Sequence, residues 1–168
     1  MWKTGKYLVL AAALLATIAA DASAQQAELL ALLRSDATVQ EKSAACRQLA
    51  RIATKDAVPT LAALLDDEQL SHMARYALET IRDPSVDEAL RDALGKVQGR
   101  PRLGVIGSLG ARRDIKAVDA LAELLRGTDA DAAQAAARAL GRIGTPAAAR
   151  ALEDVLPEAS DRSQLAIC

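Results

Sequence analysis

Few side chains in this 168-residue chain could perform metal or nucleophilic chemistry. The chain has one histidine, His72, and two cysteines, Cys46 and Cys168. Metal sites usually need three or four converging ligands, and no histidine or cysteine lies at ligand spacing from His72. We therefore expect His72 to be exposed on a helix. We expect no metal and no other cofactor.

The cysteines occupy positions that predict packing roles instead of catalysis. Cys46 stands where a helical pattern requires a small residue, so we expect it to be a buried or half-buried apolar filler. Cys46 and Cys168 fall in the first and fifth of the repeat units defined below. Helix layers advance by about 8–10 Å each, whereas a disulfide requires Cα atoms within about 7 Å. We expect no disulfide between Cys46 and Cys168 within one chain. Whether either cysteine forms a disulfide with another chain is left undecided.

A glycine-rich run, LGVIGSLG, contains Gly104, Gly107 and Gly110 and could suggest a phosphate-binding loop. A dinucleotide fingerprint requires a different glycine spacing, between a strand and a helix. This run aligns with alanine-rich helical segments elsewhere in the chain, which favours close helix packing at the glycines. Because each glycine weakens a helix by roughly 1 kcal/mol relative to alanine, we predict that the third unit is the least stable.

The elements that position these residues are repeats. Leucines open similar clusters at Leu29, Leu61, Leu90, Leu121 and Leu152. A second leucine column precedes the last four of these at a constant spacing, at Leu49, Leu78, Leu109 and Leu140. Each unit has helical apolar spacing. Hydrophobic residues make up 51% of the chain but aromatic residues only 2%, so burial must come from closely packed Ala, Leu, Val and Ile.

The units meet at corners that carry helix-start residues. Thr54, Asp83, Asp114 and Thr145 each stand at the same distance before an opening leucine, and all have side-chain oxygens that can cap a helix. Pro59 either kinks a helix that begins at Lys55, or lies harmlessly in the first turn of a helix capped by Asp56. Before the last corner, Gly141 and Gly144 are expected to end a helix, in the left-handed conformation.

The motif of each unit, L-x-x-L-L followed by A-x-x-A-L-G-x-I, resembles HEAT repeats, and its short period is similar to phycobilisome-lyase HEAT-like repeats. The resemblance implies an all-α, right-handed α-α superhelix, a HEAT-like solenoid of antiparallel helix pairs with about 4.5 repeats. The predicted array spans residues 25–168. Its units are 26–53, 54–82, 83–113, 114–144 and 145–168. The last is incomplete, so we expect either that the natural protein continues beyond it, which we favour, or that this end meets a partner or a second copy.

The resemblance also implies a non-catalytic scaffold that binds a protein partner. Two alternatives remain: a structural repeat segment of a larger exported enzyme or cytochrome, and a bilin-lyase-like enzyme with its own chromophore pocket. The formal net charge of −1 gives no overall field that would attract nucleic acid.

The start of the chain, residues 1–24, has the pattern of a secretory signal peptide. Lys3 and Lys6 precede an apolar run over residues 8–20, and Ala22-Ser23-Ala24 supplies the small residues of a cleavage site. The run is shorter than the roughly 20 residues that span a bilayer. We predict cleavage after Ala24, a periplasmic or secreted mature protein, and no stable membrane insertion.

The partner is expected on the outward side of the second helix of each unit, which lines the concave surface in HEAT-like arrays. The positions two before, two after and six before each buried leucine face outward there. They form a mildly basic ridge that suits an acidic segment of another exported protein. The candidate binding residues are Arg47, Arg51, His72, Tyr76, Gln134, Arg138 and Arg142.

Overall fold

The computed structural model describes residues 21–155, and these form helices and turns without any strand. There are four helical hairpins followed by the first helix of a fifth. The helices are α1 (21–34), α2 (Val39–Ile52), α3 (Val58–Ala62), α4 (Ser71–Thr80), α5 (Pro84–Leu94), α6 (Gly99–Arg112), α7 (Val118–Arg126), α8 (Ala130–Ile143) and α9 (Pro146–Val155).

Each hairpin packs on its immediate neighbours. Among the second helices of the hairpins, α2 packs on α4, α4 on α6, and α6 on α8. Among the first helices, α3 packs on α5 and α7 on α9. The extensive helix contacts of the described residues thus join the same or adjacent hairpins, as a solenoid requires.

The two leucine columns form the core that joins the layers. Leu49, Leu78, Leu109 and Leu140 are all fully buried. Leu61, Leu90 and Leu121 of the first column are fully buried as well, and Leu29 is nearly so. One continuous cluster of apolar side chains runs through all four hairpins. The repeat phase predicted from the leucines is therefore confirmed.

Three of the four predicted corner caps form. The Asp83 carboxylate accepts the backbone N–H of Ser85, and the Asp114 carboxylate accepts that of Lys116. The Thr145 hydroxyl accepts the N–H of Ala148. Thr54 makes no such cap. Its hydroxyl instead accepts a hydrogen bond from the Gln26 amide, which ties α1 to the second hairpin.

Neither of the two predictions for Pro59 gave the correct first residue of α3, the helix that contains it. The corner begins with a short 3₁₀ helix, Lys55–Ala57, and α3 begins only at Val58, so Asp56 is not its cap. Pro59 is the second residue of α3, where its missing N–H breaks no hydrogen bond, as the second alternative expected. The equivalent corner before α7 also has a 3₁₀ helix, Ile115–Ala117, so the tighter turn does not depend on proline.

The helix-ending glycines were only partly predicted. Gly144 has a φ of 66°, as expected, and ends α8. Gly141 lies inside α8 and has no positive φ, so its prediction is wrong. The left-handed residue after α6 is Arg113, with a φ of 54°. No glycine in the sequence marks that position.

The three glycines of LGVIGSLG lie within α6 and have different roles. A Cβ atom at Gly110 would lie 2.7 Å from the Cα of Ala139 on α8, so this glycine allows close helix packing. A Cβ at Gly104 would clash with the guanidinium of Arg75. Gly107 faces open space. Close packing was therefore predicted correctly for Gly110 and wrongly for Gly107, and Gly104 makes room for a side chain.

Two ion pairs stabilise the corners on either side of the third hairpin. Arg91 donates to Asp114 at 2.5 Å. Arg112 pairs with Asp87 and also donates to the carbonyls of Ile81 and Asp83. One guanidinium thus binds the end of the second hairpin and the start of the third.

Cys46 is fully buried and is a free thiol, which confirms its predicted packing role. Burial raises the pKa of the Cys46 thiol to about 11, while the nearby Arg47 partly lowers it. Cys168, the apolar run of the signal peptide and the second helix of the fifth unit lie outside the described residues. Within the described part of the chain, no helix is both long and apolar enough to cross a bilayer.

Candidate binding face on the second helices

The outward residues of the second helices share one layer of the stack. In each helix the buried leucine points inward, and the positions two residues away on either side and six before it lie on the other side of the helix. Among these positions Ser43, Leu103, Gly107 and Gln134 are half-buried, and the others are exposed. We call the twelve positions obtained in this way the second-helix face. It consists of Ser43, Arg47, Arg51, His72, Tyr76, Thr80, Leu103, Gly107, Ala111, Gln134, Arg138 and Arg142.

The predicted partner-binding residues lie on three of the four helices of this face. Those that are exposed are Arg47, Arg51, His72, Tyr76, Arg138 and Arg142. Tyr76 has 52% of its surface exposed, which makes it one of the few large apolar side chains in solvent. Gln134 is half-buried and already engaged in another interaction, so it lies at the margin of the face.

The twelve positions of the face carry a net positive charge. None of its twelve positions holds a carboxylate, whereas four hold arginine. Within residues 21–155, these arginines make no ion pair, and Arg47 and Arg51 of α2 are matched by Arg138 and Arg142 of α8. Between them, α6 contributes the small residues Gly107 and Ala111, which leave the middle of the face flat.

The second helices form the more extensively packed layer of the stack. The second helices pack against one another in an unbroken series, most closely where Gly110 of α6 meets Ala139 of α8. On the other layer, cavities of about 690 and 420 Å³ open between α3 and α5.

A polar cluster beside Tyr76 was not predicted from the sequence. The Arg75 guanidinium donates to the Ser108 hydroxyl at 3.3 Å, and Ser108 in turn donates to the Glu79 carboxylate at 2.5 Å. Ser108 is buried. Burial lowers the pKa of Arg75, and the Glu79 charge raises it. The cluster joins α4 to α6, and Gly104 provides the space for the guanidinium.

One sequence feature could have revealed Arg75. It lies three residues before Leu78, and the equivalent residues of the other second helices are Cys46, Ile106 and Ala137, all buried and apolar. A charged residue in an apolar column requires polar neighbours, and Ser108 and Gly104 one unit later provide the partner and the space.

The described residues offer no constellation for metal chemistry. His72 is exposed, as predicted, and no group of three or more potential metal ligands occurs between residues 21 and 155.

The protein-family model described as HEAT repeats matches residues 27–102 and 99–167. The chain belongs to the HEAT-repeat family. The comparison with curated proteins finds no match.

HEAT repeats suggest a helical scaffold that could mediate protein interactions, and the fold is typically non-catalytic. In this HEAT-repeat protein the second helices form a continuous layer with unpaired positive charge and an exposed tyrosine. Chemically, such a layer can bind carboxylates by charge-assisted hydrogen bonds and can pack an apolar side chain against the ring.

Proposed function

We propose that this HEAT-repeat protein is a non-catalytic scaffold whose second-helix face binds an acidic segment of a partner protein. The observation that carries the proposal is the set of four exposed arginines, unpaired within residues 21–155, on a face without carboxylates. Arg47, Arg51, Arg138 and Arg142 lie at the two ends of that face. Tyr76 lies between them on α4.

An acidic, extended segment suits the dimensions and the chemistry of this face. Three steps of about 8–10 Å from α2 to α8 give a length of roughly 25–30 Å, which accommodates about eight residues of extended chain. Arginine forms paired hydrogen bonds with carboxylates. Exposed tyrosine is enriched at protein interfaces because it combines an apolar ring with a polar tip. The arginines would therefore hold the ends of the segment and Tyr76 its middle.

The proposed function is tested with a labelled peptide, EEAYEAEE, titrated by fluorescence anisotropy. Changing Arg47, Arg51, Arg138 and Arg142 together to glutamate should weaken binding by roughly tenfold or more, because each substitution replaces attraction by repulsion. The matched control changes four exposed basic residues outside the face to glutamate: Arg82, Lys116, Arg126 and Arg150.

The control has the same net charge as the face variant, so it separates the location of the charges from their number. It should retain binding within about threefold, because exposed charges beyond a Debye length are largely screened. Equal losses in the two variants, or an unmodified protein that does not bind the peptide, would contradict the proposal.

We also propose that the scaffold is exported, with its signal peptide cleaved after Ala24. This is supported by burial near the proposed cleavage site. Residues 23–25 are exposed, whereas Gln26 is buried and exchanges hydrogen bonds with Thr54. Cleavage after Ala24 would therefore keep Gln26, the first buried residue of the part that the structure describes. Mass spectrometry of the secreted chain should find Gln25 at the N-terminus, and a chain that keeps Met1 would argue against export.

A further inference from the structure

A groove runs between the first helices of the second and third hairpins, on the layer opposite the second-helix face. It consists of two adjoining cavities, of about 690 and 420 Å³. Both are lined by Pro59, Ala89 and Asp92. The groove begins at the corner residues Lys55 and Asp83 and extends along α5 as far as Val97, just after that helix.

Short helices and small side chains keep the groove open. α3 has only five residues, because the corner begins with a 3₁₀ helix and the chain turns away after Ala62. Four of the side chains between α3 and α5 are alanines, so little side-chain volume lies between the two backbones. With Val58, Leu65 and Val97, these alanines make the floor apolar. They are Ala62, Ala63, Ala89 and Ala93.

The rim of the groove is acidic. Five carboxylates border it, namely Asp56, Asp66, Asp83, Glu88 and Asp92, against two lysines, Lys55 and Lys96. Asp83 is engaged in its cap with Ser85. The other four carboxylates are not buried, and within residues 21–155 they form no ion pair. The apolar floor is therefore bordered by more negative than positive charge.

We infer that this groove binds a basic linear segment of a partner protein. The groove follows α5, whose 11 residues span about 16 Å. That length matches about five residues of extended chain. Lysine or arginine side chains of the segment would pair with the rim carboxylates, and an apolar side chain between them would cover the alanine floor. The charge of the rim excludes an acidic occupant.

This inference goes beyond the proposed function, because it concerns a surface of opposite charge on the opposite layer of the stack. A scaffold with both surfaces could hold an acidic segment on one layer and a basic segment on the other. Each surface can be tested and can fail without the other.

The test uses the labelled peptide KLKAKLK and, as the opposite charge, ELEAELE. The double variant Glu88→Lys/Asp92→Lys reverses two rim charges. Its matched control is Asp119→Lys/Glu123→Lys, which makes the same charge change at the equivalent positions of α7, where both residues are exposed. We expect KLKAKLK to bind the unmodified protein, the rim variant to bind it roughly tenfold or more weakly, and the control to stay within about threefold.

A second pair of variants tests the groove without changing charge. Ala63 is exposed and lines the groove, so Ala63→Trp should fill it and weaken peptide binding. Ala120→Trp places the same ring at an exposed position of α7, outside the groove, and should leave peptide binding unchanged. Circular dichroism checks that each variant is folded.

Three outcomes would overturn the inference. The first is equal affinity for the two peptides. The second is an equal loss of KLKAKLK binding in the rim variant and in its control. The third is no peptide binding by the unmodified protein, together with a self-association that the rim variant abolishes, since the occupant would then be a second copy of the chain.

Discussion

Replacing Gly110 by alanine should destabilise the protein by about 1–3 kcal/mol, although the same change in an exposed helix stabilises by about 1 kcal/mol. The added Cβ would lie 2.7 Å from the Cα and 2.9 Å from the Cβ of Ala139. Because the closest of these atoms belongs to the backbone, no side-chain rotation can relieve the contact. α6 and α8 would have to separate along the tightest interface of the stack.

The other two glycines of α6 provide graded controls. Gly107 faces open space, so Gly107→Ala should stabilise by about 1 kcal/mol. At Gly104 the new atom meets the mobile end of Arg75, so the helix gain and the lost hydrogen bond, each about 1 kcal/mol, should nearly cancel. Urea unfolding measures all three. If Gly110→Ala is as stable as Gly107→Ala, the close approach of α6 to α8 is wrong.

Replacing Arg112 by methionine should cost about 2–4 kcal/mol, because hydrogen bonds to a charged group are lost and a half-buried carboxylate is left unpaired. The Arg112 side chain is only 14% exposed and pairs with Asp87. It also donates to the carbonyls of Ile81 and Asp83, which lie where α4 ends and α5 begins. Methionine retains the apolar stem, so the loss reports the guanidinium.

The control for this substitution is Arg100→Met, at an exposed position near the start of the same helix. Exposed substitutions usually change stability by less than about 0.5 kcal/mol. Urea unfolding of the two variants compares a guanidinium that joins two hairpins with one in solvent. Equal stabilities for the two variants would show that the corner does not depend on Arg112.

The repeat could be predicted from the sequence because each leucine column has one physical function. A residue that must be buried against both neighbouring layers can only be large and apolar, and it recurs in the same phase as the hairpins. Leu49, Leu78, Leu109 and Leu140 meet that requirement and are fully buried. The polar caps at Asp83, Asp114 and Thr145 follow from an equally local requirement.

Features that depend on two hairpins at once were not predictable from one unit. The role of Gly104 depends on Arg75 in the preceding hairpin, and the role of Gly110 depends on Ala139 in the following one. The 3₁₀ helices occur at two corners between successive hairpins. Only one of these corners is followed by a proline, so Pro59 does not account for them. The acidic groove likewise forms because α3 is short. No residue of α5, which forms the other wall, indicates the length of α3.

The candidate binding face was predictable as a set of positions, since outward positions follow from the inward leucines. The sequence could not show that Gln134 is engaged elsewhere, because this depends on neighbouring side chains. The half-buried position of Arg75 was indicated only by its place in an otherwise apolar column. The face as a binding surface stays a prediction until the peptide experiment is done.

The central claim is that the hairpins stack in order, so that their second helices form one extended face. Spin labels at position 47 paired with position 107 or 138, in a background without Cys46 and Cys168, test this by double electron–electron resonance. Each layer should add about 8–10 Å, so the 47–138 distance should exceed the 47–107 distance by about one step. A 47–138 distance equal to or shorter than the 47–107 distance would mean that the chain folds back on itself, and the account would be contradicted.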